Sequence, residues 1–440
     1  MPCQLPLKAL GHDVLRVLNR AGARPRLRST AAVCTTMSAV AATSILGGPS
    51  VAEPFSTAPC ALQRTDAHHS EGLDTWNPSY VRPTRTRDAV MVFLSFPDST
   101  PRTTPAELTA DHFPATSGYF EQASYGRFTL RPHPLRRWIR MPRPSTAYAM
   151  HRDWNARDRT AYLRDALAAA DPEVDFSRYD IVYFVADPDA PGVDSDATKV
   201  VNLDAPLRAD GKEIRRVVTV FERHPPDRLV LAHESGHVFD LPDLYHRPAD
   251  GKGDWDTYVG DWDLMGSQFG LSPDLFAWHK WKLGWLDARQ VTCLWGRGPT
   301  RLTLEPVEVG PAGAGPSVTS AAGSPLFGLG SGTKLVVVRT GSDSVLAIEA
   351  RASIGNDVTG CRQGVLVYRV RSGAESGGGP IEVIDAHPHT EACEGASVQP
   401  ALADAPIDVG ESFTVPGDGV RVEVENRTAS GAYTVKITSA

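Results

Sequence analysis

The segment from His233 to His237, His-Glu-Ser-Gly-His, combines the residue types and the spacing of a catalytic zinc site. Two histidines that are four residues apart lie on one face of an α-helix, and two neutral imidazoles in that position can bind one Zn²⁺. Glu234 would lie beside the metal, where its carboxylate can act as general base on a zinc-activated water. The motif therefore predicts zinc-dependent hydrolysis of peptide bonds.

A catalytic zinc site usually has three protein ligands and one water, so the chain must supply a third side chain. Asp243, six residues after His237, offers a carboxylate within reach. Further downstream, Met265 is predicted to form a tight turn below the two histidines, although a lone methionine is more often part of a core. Four other aspartates compete with Asp243 for the role of third ligand: Asp240, Asp256, Asp261 and Asp263.

Weaker signals surround the motif. Tyr245 and Tyr258 could stabilise a developing oxyanion, and aromatic packing is the alternative for each of them. His387 and His389 flank a proline and could form a second metal site, but a surface turn is the favoured interpretation. The sequence has neither G-x-S-x-G nor G-x-x-x-x-G-K-[ST], which argues against a serine hydrolase and a nucleotide-binding protein.

The motif needs a helix, and the flanking sequence predicts one from Arg228 to about Phe239. A β-branched strand at 217–221 precedes this helix, and Asp227 is a suitable N-cap because its carboxylate can accept free backbone N–H groups. The apolar residues 229–232 would anchor the helix in a core. The histidines are thus expected on a capped and buried helix.

Other patterns predict a mixture of helices and strands. Apolar runs at 89–94 and 179–185 favour buried strands, and helical spacing favours a helix at 158–170. Residues 114–130 indicate a short helix followed by a strand, and 274–285 an aromatic helix that ends at Gly284. Short strands separated by turn residues predict an all-β module near the C-terminus, at 335–339, 345–350, 364–370, 381–384, 421–424 and 432–437.

These patterns divide the chain into five parts and predict an α+β fold class. The parts are a signal peptide (1–52), a leader or short pro-segment (53–85), a catalytic domain (86–295), a Gly/Pro-rich linker or surface loop (296–333) and a β-rich, sandwich-like domain (334–440).

Export is predicted from the first 52 residues. A basic stretch ends at Arg28, an apolar run follows, and Ser50-Val-Ala52 is a small-x-small cleavage pattern. Met37 is an alternative start of translation. The remaining four cysteines (Cys60, Cys293, Cys361 and Cys393) suit an oxidising compartment, and Cys361–Cys393 is the preferred pair because both lie in the β-rich part.

Charge and hydropathy exclude some partners. The formal net charge is −7, and the residues after 52 hold 39 basic and 51 acidic side chains. A chain this acidic lacks the electrostatic footprint of a nucleic-acid-binding protein. No apolar stretch of about 20 residues follows residue 60, so we expect no internal membrane span.

Several motifs together resemble the immune inhibitor A-like secreted metallopeptidases. The strongest are HESGHVFDLPDLY from His233, WDLMG from Trp262 and AWHKWKLGW from Ala277. The resemblance covers about residues 88–440. It also includes five shorter motifs of four to ten residues, at 93–98, 119–128, 348–351, 364–369 and 383–388. It implies a metzincin-like catalytic domain followed by a β-domain, secretion, a catalytic zinc, endopeptidase activity on proteins and structural calcium.

One departure concerns the turn after the motif. Relatives usually carry glycine three residues after the second histidine, where this chain has Asp240. Aspartate tolerates left-handed backbone geometry better than most residues, so the turn can survive. The resemblance also makes Asp243 the leading third ligand, because it matches the family position.

The resulting prediction is a secreted zinc endopeptidase that acts on proteins or peptides. His233, His237 and Asp243 would bind zinc and Glu234 would be the base, with Met265, Tyr245 and Tyr258 in support. One alternative is a zinc-binding secreted protein with impaired catalysis, whose β-domain binds a partner. Another is a zinc hydrolase that acts on other bonds, such as cell-wall amides.

Overall fold

A five-stranded mixed sheet carries the N-terminal part of the computed structural model, which describes residues 59–223, 225–227, 229–248, 254–269, 271, 273–310 and 330–439. Its strand order is β2-β1-β3-β5-β4, and only β4 runs antiparallel to its neighbour, at one edge. The strands are β1 (Thr86–Ser95), β2 (Thr129–Arg140), β3 (Ile181–Ala186), β4 (Lys199–Ala209) and β5 (Lys212–Val220).

This sheet is covered on both faces, as a largely parallel sheet must be. Successive side chains of a strand point to opposite faces, and in β1 they alternate between two separate cores: Met91 and Phe93 join one, Val92 and Leu94 the other. The continuous apolar run predicted as a buried strand therefore reflects burial from both sides.

The described ranges contain six α-helices. Thr104 and Glu107 form a capping box at the start of α1, and the Asn155 side chain caps α3. The helices are α1 (Pro105–His112), α2 (Ala115–Ala123), α3 (Ala156–Ala170), α4 (Val230–Val238), α5 (Ala277–Lys282) and α6 (Pro400–Ala403). Helix α4 contains the histidine motif.

Two further sheets form the C-terminal part. One has the order β11-β10-β9-β8-β6 and the other β12-β13-β14-β7. Their strands are β6 (Val291–Leu294), β7 (Gly298–Leu304), β8 (Leu335–Arg339), β9 (Ser344–Arg351), β10 (Gly364–Arg371), β11 (Ile381–Val383), β12 (Ser412–Thr414), β13 (Val420–Arg427) and β14 (Tyr433–Ser439).

The five-stranded C-terminal sheet also has two buried faces. Val336 and Ile348 on one face pack with the four-stranded sheet, and Val337 and Ala347 on the other join the core that surrounds α4. The β-rich part is therefore in direct contact with the part that holds the histidine motif.

The prediction of mixed α and β structure is confirmed, and so are the six C-terminal strands, which are β8 to β11, β13 and β14. Strand β7 lies within the predicted linker 296–333, and residues 311–329 of that linker lie outside the described residues. The aromatic helix predicted at 274–285 is shorter, since α5 covers only Ala277–Lys282.

The start of the motif helix also differs from the prediction. Arg228 lies outside the described residues, and α4 begins at Val230 with Leu229 as its N-cap and no side-chain cap. Asp227 contributes more weakly, because its Oδ1 accepts the Leu229 N–H at 3.3 Å.

The segment 59–85, predicted as part of a leader or pro-segment, packs into the protein core. Leu62 and Leu73 are fully buried there, and Cys60 forms a disulfide with Cys293. The preferred pairing of Cys361 with Cys393 is confirmed. Residues 1–52, predicted as an export signal, lie outside the described residues.

None of the helices in the described ranges combines the length and the apolar character that a membrane crossing requires.

Candidate metal centre

Helix α4 holds the motif deep in the molecule. All nine of its residues are buried, and Phe239, which follows it, packs edge-on against Phe120 and Phe128 at centroid distances of 5.4 and 5.2 Å. The Ser235 hydroxyl donates to the Leu231 carbonyl oxygen and contacts the Tyr183 hydroxyl at 2.8 Å. The motif helix is thereby fixed to α2 and to the sheet.

The turn after α4 is formed by Asp240 in the left-handed conformation, with φ of 70°. This is the position where glycine was expected, and the carboxylate explains how aspartate is accommodated. It pairs with Arg64 and lies 3.1 Å from Nδ1 of His69, both from the segment 59–85. Asp240 is fully buried, and its side chain faces these partners, which leaves it unsuited to be a metal ligand.

Asp243 is the carboxylate that meets the two histidines. Its Oδ1 lies 3.4 Å from Nε2 of His233 and 3.0 Å from Nε2 of His237. Within the described ranges, these three side chains are the group whose ligand atoms lie within 4.8 Å of one another.

The other candidate aspartates either form hydrogen bonds with other residues or lie outside the group formed by the two histidines and Asp243. Asp261 accepts hydrogen bonds from Ser397 and the Val398 N–H, and Asp263 binds His279. Asp256 lies in the wall of the cleft without joining the group, and burial together with Asp261 raises its pKa to about 6.

The hydrogen bonds of both histidines orient Nε2 toward Asp243. Nδ1 of His233 lies 2.9 Å from the Leu264 carbonyl oxygen, and Nδ1 of His237 lies 2.8 Å from that of Leu241. A carbonyl oxygen only accepts, so each Nδ1 carries the proton and the Nε2 of a neutral ring presents a lone pair. Asp243 Oδ1 is buried and, among the residues that the structure describes, lacks a hydrogen-bond donor.

Three lone pairs that face one another need a cation between them. Burial opposes a charge on His237, yet Asp243 and Glu234 outweigh it and raise the pKa of His237 to about 9. Burial also disfavours charge on Asp243, but His237 and His233 hold its pKa well below the usual range. Two nitrogens and one oxygen are a donor set that suits Zn²⁺.

Met265 lies directly beneath the motif. A Cβ placed on Gly236 would lie 2.4 Å from the Met265 sulfur, so a larger residue at 236 would displace the methionine side chain. Asp263 shapes the turn, because its carboxylate accepts the backbone N–H groups of Met265 and Phe276 at 2.8 and 2.7 Å. The structure thus places the predicted methionine turn below the histidines.

Glu234 faces the edge of the sheet, next to the group formed by the two histidines and Asp243. Its Oε2 accepts the Val200 N–H of β4 at 2.8 Å. Burial raises the pKa of Glu234, and the two histidines oppose this shift. A carboxyl with a raised pKa can exchange a proton closer to neutral pH than an exposed glutamate can.

A cleft of about 830 Å³ opens over these residues. Strand β4 forms one wall, with Lys199, Val200 and Asn202, and the half-exposed Phe269 lies at the rim. The remaining walls include residues from distant segments, among them His68, His69, Arg152, Tyr245, Arg247, Trp255 and Ser376.

The two predicted tyrosines differ in position. Tyr245 lies in the cleft and stacks on His233 with 6.4 Å between ring centroids, and burial and Asp243 raise its pKa, so its hydroxyl stays protonated. Tyr258 instead contacts His246, with 3.1 Å between its hydroxyl and Nδ1, and it does not line the cleft.

His387 does not join a metal group among the described residues. Its Nε2 lies 3.0 Å from Glu411 Oε2, and its Nδ1 lies 2.6 Å from the Asp404 carbonyl oxygen. Its ring nitrogens are therefore engaged within the β-rich part.

Sequence reasoning missed two contributors to this site. The segment 59–85 supplies His68 and His69, and the loop between β10 and β11 supplies Ser376. Ser376 is 133 residues from the aspartate that it contacts. No local pattern signals a contact at that separation. For the segment 59–85, the adjacent histidines His68 and His69 are the sequence feature that could have indicated a contribution to the site.

No protein-family model matches this chain, and no curated protein matches it either. Among solved structures, the chain is similar to the crystal structure of wild-type OgpA from Akkermansia muciniphila, at 11% sequence identity and a TM-score of 0.27. The alignment covers 83% of this chain and 95% of that chain.

Proposed function

We propose that this protein is a zinc-dependent endopeptidase of metzincin-like architecture. The convergence of His233, His237 and Asp243 around one point supports the proposal most directly, because their three lone pairs face one another in a buried site. The methionine turn beneath the motif and the glutamate beside it add to this support.

Each protein group has a defined task in the proposed reaction. Zinc, when bound, would polarise the scissile carbonyl and acidify a water molecule. Glu234 takes the proton from the attacking water and later delivers it to the leaving amine. Tyr245 lines the cleft with its hydroxyl protonated, and this hydroxyl would donate to the oxygen on which negative charge develops.

The cleft supports a peptide as the substrate. Strand β4 is an edge strand beside Glu234, and an extended chain can lie along such an edge. A volume of about 830 Å³ leaves room for several residues of that chain.

Secretion is part of the proposal. Two disulfides, Cys60–Cys293 and Cys361–Cys393, suit an oxidising compartment, and the first 52 residues have the pattern of an export signal. The structural calcium implied by the family resemblance stays a prediction.

The decisive experiment compares two cleft glutamates. Glu234→Gln should lower casein hydrolysis by about 10²–10⁴-fold while zinc content, measured by atomic absorption, stays near one per chain. Glu222→Gln, which alters a partly buried glutamate of the same cleft, should retain most activity. Equal hydrolysis by wild type and Glu234→Gln would overturn the assigned role.

The same assay distinguishes the proposed endopeptidase from the alternative, a zinc-binding protein without catalytic activity. That alternative predicts full zinc occupancy with no turnover of casein or a peptide library. Asp240 motivated this alternative, and its left-handed backbone, with φ of 70°, supports the main proposal instead.

A further inference from the structure

The loop between β10 and β11 reaches from the β-rich part to the proposed zinc ligand. The Ser376 hydroxyl donates to Oδ2 of Asp243 at 3.1 Å and accepts the Asp243 backbone N–H at 2.8 Å. The neighbouring Gly377 N–H donates to the Asp243 carbonyl oxygen at 2.9 Å. Both the backbone and the side chain of this ligand are therefore held by one loop.

The two carboxylate oxygens of Asp243 have different surroundings. Oδ1 faces Nε2 of both histidines, and Oδ2 receives the Ser376 hydroxyl. A bond to Oδ2 restricts rotation of the carboxylate and keeps Oδ1 directed at the histidines. Metal-binding carboxylates are commonly fixed by a second hydrogen bond of this kind, and its loss typically weakens metal binding about 10–100-fold.

The loop is shaped for this contact. Gly377 has φ of 74°, a conformation that suits glycine, and its carbonyl oxygen accepts the Arg247 N–H at 3.4 Å. The hairpin thus spans the segment from Asp243 to Arg247, which contains Tyr245. Contacts at both ends of this segment fix the cleft wall that follows the motif.

We propose that Ser376 is a positioning residue that sets zinc affinity by orienting Asp243, so that the β-rich part completes the metal centre. The inference rests on the proposed function, since it assumes that Asp243 is a zinc ligand. It adds a residue that the histidine motif does not contain and that lies 133 residues away from Asp243.

The test measures zinc affinity by competition with a chromophoric chelator, using the full chain. Ser376→Ala removes both hydroxyl contacts and should weaken zinc binding about 10–100-fold. Ser376→Thr keeps a hydroxyl and should restore most of the affinity. Ser372→Ala is the matched control, because this serine of the same hairpin is buried and its hydroxyl has no hydrogen-bond partner within the described part of the chain.

Peptide hydrolysis and thermal unfolding of the metal-free variants complete the test. Ser376→Ala should regain most of its activity at saturating zinc, and its metal-free unfolding midpoint should stay near that of Ser372→Ala. Unchanged zinc affinity in Ser376→Ala, with affinity lost in Asp243→Ala, would overturn this inference alone. Failure of the wild type to bind zinc would overturn the proposed function as well.

Discussion

Two segments distant in sequence brace the turn that follows helix α4, and they do so with different chemistry. The segment 59–85 uses buried charge: Arg64 pairs with Asp240, and Glu71 lies 2.9 Å from Nε2 of His279. The β10–β11 loop uses the hydroxyl of Ser376 and backbone amides at a partly exposed position.

This difference in chemistry predicts different roles for the two segments: one contributes to the stability of the fold and the other to the geometry of the site. Removing one partner of a buried ion pair costs about 3–5 kcal/mol, because the other charge stays desolvated. Loss of a neutral hydrogen bond costs about 1 kcal/mol. The first segment is therefore expected to be necessary for folding, and the loop can alter the position of the Asp243 side chain with little effect on the fold.

The largest expected effect concerns the disulfides that secure the two segments. Cys60–Cys293 closes a sequence separation of 233 residues, and Cys361–Cys393, which encloses the β10–β11 loop, closes 32. From loop-closure entropy alone, replacing both cysteines by serine should cost about 5 kcal/mol for the first pair and about 4 kcal/mol for the second. Urea unfolding of the two double variants checks the order, and a greater loss for the second pair would contradict it.

Asp240→Ala should follow in size. It leaves Arg64 without its partner and places alanine in the left-handed conformation, so we expect a loss of about 4 kcal/mol in the free energy of unfolding. Asp66→Ala, at an exposed position of the same segment, is the control and should change stability by less than about 0.5 kcal/mol. Similar losses for both variants would show that the buried pair does not brace the turn.

The free energy of unfolding should depend on pH by about 3 kcal/mol because of His279. Burial lowers its affinity for a proton, but Asp263 and Glu71 outweigh this effect and raise the pKa of His279 to about 9. The pKa is higher in the folded than in the unfolded protein, so the stabilisation is complete below about pH 6.5 and disappears as the pH rises through about 9.

This dependence is best measured by urea unfolding in a His237→Gln background, because the pKa of His237 also rises to about 9. Stability should fall steadily between pH 6.5 and 9.5. A flat profile would mean that the buried contact between Glu71 and His279 does not depend on a charged imidazole.

Much of the fold could be predicted because its strands are locally apolar. The runs at 89–94 and 335–339 became β1 and β8, since burial on both faces leaves a continuous hydrophobic signature. Strand β2 was predicted only at its start, because Pro132 and Pro134 interrupt the pattern and are tolerated at the edge of a sheet. Strand β4, also at an edge, has mostly exposed or half-buried side chains.

The residues of the candidate site also divide into those that local sequence predicts and those that it does not. His233, Glu234 and His237 were predicted from helical spacing alone. Asp243 was favoured over four other aspartates by the family resemblance, and the structure brings it next to the two histidines. Arg64 and Ser376 act through contacts across 176 and 133 residues, and a single sequence carries no sign of such pairings. The segment 59–85 looked like a leader because its polar composition conceals a few deeply buried residues.

The buried position of the segment 59–85 has a consequence for the order of events during synthesis. Glu71 contacts Trp278 and His279, and Cys60 pairs with Cys293, so the partners of this early segment are made more than 200 residues later. The segment cannot reach its final place until the chain has been synthesised to about residue 293. The turn after helix α4 therefore gains its N-terminal support only after about two thirds of the protein has been synthesised.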